Sequence, residues 1–123
     1  MELGAFSVSL NVRDIQQSFD FYKKLGFEQM GGNIDQKWLI LRNGTSVIGL
    51  FQGMFEKNIL TINPGWDQNA VNLENFQHVR EIQKKLKAAG LSLDKEADEN
   101  SSGPEHFVLK DPDGNVIMLD QHR

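Results

Sequence analysis

The chain has 123 residues, 39% of them hydrophobic and 24% charged, which fits one globular domain around one core and excludes a disordered or membrane-embedded chain. It contains no cysteine, which excludes disulfides, thiolate zinc sites, iron–sulfur clusters and cysteine nucleophiles and leaves metal binding to Asp, Glu and three histidines, His78, His106 and His122. The formal charge of −4 is spread as 6 basic and 6 acidic side chains over residues 1–62 and 7 and 11 over residues 63–123, so no basic face for nucleic acid is expected. No apolar run reaches the roughly 18 residues of a membrane span. MELGAFSVSLNV lacks the basic start of a signal peptide, and a cytoplasmic protein is expected.

Phe6, Val8, Leu10 and Val12 alternate with Ser7, Ser9 and Asn11, the pattern of a half-buried strand. Asp14 with Gln17 three residues on forms a capping signal, and Ile15, Phe19 and Tyr22 make the apolar face of a helix over 14–25 that stops at Gly26. After a break at Gly31-Gly32, two β-rich runs, Lys37–Arg42 and Ser46–Phe51, flank Asn43-Gly44, a strong hairpin signal.

Residues 52–68, with Met54, Phe55, Pro64, Gly65 and Trp66, read as a connector that serves as a lid, a partner surface or a folded linker. A strand is expected around 69–73. A helix follows over about 75–89, with Asn75 as cap, an apolar face of Phe76, Val79, Ile82, Leu86 and Ala89, and Gly90 as stop. Leu91-Ser-Leu93 is then a short strand, Asp94 to Asn100 a solvated acidic loop, and Glu105–Lys110 and Asn115–Asp120 strands joined by the turn Asp111-Pro-Asp-Gly114. The two halves repeat: Val47-Ile-Gly-Leu50 corresponds to Val116-Ile-Met-Leu119 at an offset of 69 residues. The expected architecture is therefore α+β, two βαβββ modules in a single domain over 1–123, with module one at about 1–52, the connector at 53–68 and module two at about 69–123.

A first strand followed by Asn11-Val-Arg-Asp-Ile15, then Phe21-Tyr22-x-x-Leu25-Gly26-Phe27, and near the end Asp111-Pro-Asp-Gly-Asn115, resembles the glyoxalase / bleomycin-resistance / extradiol dioxygenase superfamily, the vicinal oxygen chelate proteins, over essentially the whole chain. The resemblance implies eight strands curled into a cup with helices outside and the ligand site inside, usually in a homodimer. It also implies metal ligands, His and Glu, on the first and last strand of each module. Matched residue by residue, those positions hold Ser7, Gly49 and Met118, with Asn69 or Val71 as the fourth. Such donors suit no divalent ion, so no metal and no cofactor is expected.

Among the other chemical residues, His106 is either a polar cup residue or a partly exposed strand histidine, and Asp120 shares the parity of Met118. His106, Asp120 and His122 match a two-His-one-carboxylate iron site in count alone. Trp38 and Phe51 supply aromatic wall, and Gly49 leaves room for a ligand or a bulky neighbour such as Trp38. The expected function is metal-independent binding of a small, partly apolar organic molecule by Ser7, Trp38, Gly49, Phe51, His106, Met118 and Asp120, in a homodimer without nucleic-acid or membrane partners. The enzymatic alternative is a lyase, isomerase or dioxygenase working through a non-standard metal site or through His106 and Asp120 as an acid–base pair. A third reading makes Met54-Phe55 and Trp66 an interaction surface.

Overall fold

The computed structural model describes all residues from Met1 to Arg123. In chain order its elements are β1 (Ala5–Val12), α1 (Ile15–Lys24), β2 (Glu28–Asn33), a 3-10 turn (Ile34–Gln36), β3 (Trp38–Asn43), β4 (Ser46–Gln52), β5 (Ile59–Asn63), α2 (Val79–Ala88), β6 (Glu105–Lys110) and β7 (Val116–Gln121). The protein is thus α+β, with strands paired in both senses. Neither helix is long and apolar enough to cross a membrane. The chain forms two compact units, an N-terminal one of Ser7–Ile59 and a C-terminal one of Leu60–Arg123 with Met1–Phe6.

In the N-terminal unit β2, β3 and β4 are antiparallel, while β1 runs parallel to β4 because a crossover carrying α1 intervenes. The register pairs Ser9 with Gly49, Asn11 with Phe51, Ile40 with Gly49 and Trp38 with Phe51. Since paired residues share a face and successive ones alternate, Ser7, Ser9, Asn11, Trp38, Ile40, Gly49 and Phe51 all lie on one side. The other side, with Leu10, Leu39, Leu41 and Leu50, packs on Ile15, Phe19 and Tyr22 of α1. Gly31-Gly32 does not end the strand. Gly31 and Gly32 pair in regular register with Ile40 and Leu39, just after a bulge between Gln29 and Gly31, and Gly32 takes φ +92° where any Cβ would stand 2.7 Å from the Trp38 carbonyl oxygen.

In the C-terminal unit β6 pairs antiparallel with β7, which borders β5. Phe107, Leu109 and Leu119 of the strands pack on Val79 and Ile82 of α2, together with Ala97. The opposite face carries His106, Val108, Met118 and Asp120.

Three sequence expectations change here, and the acidic loop, solvated as expected, gains an anchor that its sequence does not mark. The strand before α2 is β5, inside the segment read as connector, and residues 69–73 form no strand. The Asp67 carboxylate accepts the N–H groups of Asn69 and Val71 at 2.9 and 3.1 Å, curling the chain into a loop whose Ala70 has φ 59°. Helix α2 starts at Val79, after a His78 that makes no side-chain cap, and not at Asn75. The strand expected at Leu91–Leu93 is absent, so there are seven strands rather than eight. Leu91 N–H still donates to the Leu86 carbonyl at 3.1 Å as part of the helix end, and pairing with β6 shrinks to one bridge between Lys95 and Val108. Finally, the acidic loop is anchored. Gln83, fully buried, accepts Ala97 N–H at 2.6 Å and donates to the Ala97 carbonyl at 3.1 Å and to Glu99 at 2.8 Å.

Each helix begins against a glutamine from the last strand of its own repeat. Gln52 Oε1 accepts Ile15 N–H at 3.0 Å, and Gln121 Oε1 accepts Val79 N–H at 2.8 Å. Both glutamines end their strands, β4 and β7, so the repeat extends one turn of chemistry beyond the apolar pattern that marks it.

Candidate functional site

The N-terminal unit gathers Ser7, Trp38, Gly49 and Phe51 on its helix-free face, as the strand parity requires. The Trp38 and Phe51 rings stack with centroids 6.4 Å apart and planes 10° from parallel, and Phe55 adds a third ring 5.4 Å from Phe51. A Cβ on Gly49 would lie 2.5 Å from Phe51 Cε2 and 3.4 Å from Ile40 Cδ1. The room at Gly49 is therefore taken by the Phe51 ring, neither by Trp38 nor left open. Phe55 is brought in by Asn11, whose backbone N–H donates to Asn58 Oδ1 at 2.9 Å and whose Nδ2 donates to the Glu56 carbonyl at 3.1 Å. No periodicity marks Phe55, because it sits outside any strand; only its place in an aromatic-bearing connector hinted at it.

In the C-terminal unit His106 faces Asp120 across β6 and β7, and Val108 faces Met118. The ionic contacts of the facing pair go elsewhere. His106 Nδ1 lies 3.8 Å from Glu105 Oε1, and Asp120 Oδ2 lies 3.2 Å from His122 Nε2. Backbone N–H groups of Asp98 and His106, followed by the Lys95 ammonium, hold the Glu105 carboxyl below the usual range. Asp120 and His106 thus stand opposite without forming an ion pair.

The metal-ligand positions can be revisited with β5 in place. Ser9-Leu10-Asn11 matches Thr61-Ile62-Asn63, so the counterpart of Ser7 is Ile59 rather than Asn69 or Val71. Ser7, Gly49, Ile59 and Met118 offer one hydroxyl and one thioether, a donor set that does not fit a divalent cation. No three His, Asp or Glu side chains come together as a ligand group, His106, Asp120 and His122 included.

His122 takes part in a different cluster. Its imidazole stacks on Trp66 at 4.8 Å and 5°, and the Asp120 carboxylate raises its pKa above the ordinary 6.5. The neighbouring Arg123 donates to the carbonyls of Gly65 and Leu73 at 2.9 and 2.6 Å and lies over the Phe76 ring. Residues 64–78, between β5 and α2, are in this way clamped by the C-terminal residues. Because the folded pKa is raised, the stabilisation is complete below pH 6.5 and fades as pH rises through the native value. With the imidazole partly exposed, the effect is at most about 1 kcal/mol. An NMR titration should place the His122 midpoint above that of Asp120→Asn, in which it returns towards the ordinary value; equal midpoints refute the pairing.

The mixed sheet with its two helices is a glyoxalase-like α+β fold. The family model for the Glyoxalase/Bleomycin resistance protein/Dioxygenase superfamily matches residues 4–119, and the chain belongs to that superfamily. A superfamily member from Vibrio splendidus 12B01 is 17% identical, with a TM-score of 0.64 over 94% of this chain and 97% of that one. A protein described as NAD-dependent benzaldehyde dehydrogenase from Legionella pneumophila is 18% identical, with a TM-score of 0.70 over 96% and 99%. The Mn(II)-bound glyoxalase from Novosphingobium aromaticivorans is 15% identical, with a TM-score of 0.54 over 94% of this chain but 37% of that one. At these identities the likeness is one of fold. Among curated proteins none matches the chain.

Proposed function

We propose that the protein binds a small, partly apolar organic molecule without a metal, with the Trp38, Phe51 and Phe55 rings as the apolar wall. The observation that carries this reading is the near-parallel Trp38–Phe51 stack on a sheet face that no helix covers within its unit. Aromatic faces of this kind hold flat organic groups by dispersion and offset stacking, and such contacts need no Lewis acid. Ser7 shares the face and supplies a hydroxyl for orientation. His106, Met118 and Asp120 remain proposed ligand-binding residues of the C-terminal unit, and a cytoplasmic homodimer is the state this reading takes for the protein.

The test reads Trp38 alone. In a Trp66→Phe variant, fluorescence titrated with bleomycin and with flat aromatic amides should be quenched saturably by at least one of them. The absence of saturable quenching by all of them would sink the proposal.

The enzymatic reading rests on the placement of His106 directly opposite Asp120. Turnover of a lyase, isomerase or dioxygenase substrate that both His106→Ala and Asp120→Ala abolish would decide for it.

A further inference from the structure

The geometry points to a second binding site, in the C-terminal unit, for a small amine with an apolar body. A cavity of about 410 Å³ is lined there by the N-terminal segment Met1–Gly4, by Gly65 and Leu73 of the inserted loop, and by Asn75, Phe76 and Gln77 before α2. None of these residues belongs to the Trp38–Phe51–Phe55 cluster or to the strand positions where the family's ligands would stand. The volume is in the range of small-molecule sites, roughly 300–1,000 Å³.

Two features make it more than a surface dent. The first is that close backbone approach builds its walls. Gly4 has φ +110° and a Cβ there would lie 2.2 Å from the Asn63 carbonyl oxygen, while Gly65 has φ +93° and a Cβ would lie 3.0 Å from both Arg123 Cδ and Phe76 Cε2. Glycine at both positions satisfies a left-handed backbone and leaves the walls without side chains. Arg123 then holds the loop in place through the carbonyls of Gly65 and Leu73.

The second feature is an acceptor without a donor. Gln77 Oε1 is buried and has no hydrogen-bond partner, the one such side-chain atom in the protein. Buried acceptors are nearly always paired, since leaving one unpaired forfeits its hydration. Gln77 lines the cavity, and its terminal amide torsion is broad, so the carbonyl can turn to meet a donor seated there.

The lining then selects the occupant. Leu3, Leu73 and Phe76 suit an apolar body, Gln77 demands an N–H or O–H donor, and the exposed Glu2 carboxylate, which shares the lining with the Met1 ammonium, can pair with a cationic donor at the rim. An alkyl or aryl amine meets all three conditions.

The probe is benzylamine, followed by amide NMR on the full chain at pH 7. Saturable shifts are expected at Gly4, Gly65, Leu73 and Gln77, with toluene, which has the ring but no donor, at least about tenfold weaker. Gln77→Met, which keeps the length and removes the acceptor, should weaken benzylamine about tenfold with an unchanged or higher Tm. Leu73→Trp, which fills the cavity, should abolish binding. The site is overturned if benzylamine shifts none of these amides, if toluene binds equally well, or if Gln77→Met binds with unchanged affinity.

Discussion

Gln121→Met is expected to lower the stability of the fold by about 2–4 kcal/mol, which for a domain of this size lowers Tm by roughly 10 °C. Gln121 is 1% exposed and connects three parts of the C-terminal unit. Its Oε1 accepts the Val79 N–H at 2.8 Å, and its Nε2 donates to the carbonyls of Arg123 at 2.8 Å and Gly103 at 3.4 Å. Met preserves the shape while removing every one of these bonds. The first N–H of α2 then lies unpaired against a core in which Val79 is fully buried. His78 supplies no side-chain cap to replace it. The matching variant in the other repeat, Gln52→Met, should cost less, because Asp14 still caps α1 by accepting Gln17 N–H at 3.1 Å. Thermal melts of the two variants check this, and a Gln121→Met protein that melts like the parent would show that the helix start has another acceptor.

Gly49→Val is the second large effect, and it is the one that bears on function. The new Cβ would lie 2.5 Å from Phe51 Cε2, so the ring must swing away from its place beside Trp38. Overpacking of this kind costs about 1–3 kcal/mol. The larger consequence falls on the proposed binding wall, since Trp38 loses its stacked partner. Ligand affinity read from Trp38 fluorescence should fall by about tenfold or more, the loss of one well-made aromatic contact. Removing the obstructing ring as well, in Gly49→Val with Phe51→Ala, should recover part of the lost stability, because the two positions touch and their effects are coupled. Unchanged affinity in Gly49→Val would mean that the Trp38–Phe51 stack is not the wall.

How far the site could be read in advance depended on local pattern. Alternation over Phe6–Val12, Trp38–Arg42 and Ser46–Phe51 placed Ser7, Trp38, Gly49 and Phe51 on one face, and the structure has them there, since a period of two leaves no freedom once one face is buried. Turn chemistry was equally plain. Gly44 takes φ 60° after Asn43, and the Asp111 carboxylate accepts N–H groups of Asp113 and Asn115 at 2.9 and 2.8 Å before Gly114 at φ 86°. The same donors, with the Asn115 side chain first among them, hold the Asp111 carboxyl below its ordinary range.

The misplacements share another cause. Ile59–Asn63 has a strand's alternation, but it lies among residues whose Met54, Phe55, Pro64 and Trp66 suggested a loop, while Val71 and its neighbours are curled by the Asp67 carboxylate. The helix expected from Asn75 waits for Val79 because its acceptor comes from Gln121, 42 positions away in the chain. Gln77 and Arg123 carry no motif and acquire meaning only from the cavity and loop they border.

By itself the sequence determined the α+β class, the turns at Asn43-Gly44 and Asp111–Gly114, the helix α1 and the faces of the strands, because these follow from periods and turn residues acting within a few positions, while the family entered through the resemblance of its motifs. Only the tertiary structure decided that Phe51 fills the space above Gly49, that Asp120 turns to His122 instead of His106, and that a cavity opens beside Gln77. Those outcomes depend on which side chains from distant segments reach one another first, and hydrogen bonds and ring contacts across such separations leave no periodic trace along the chain.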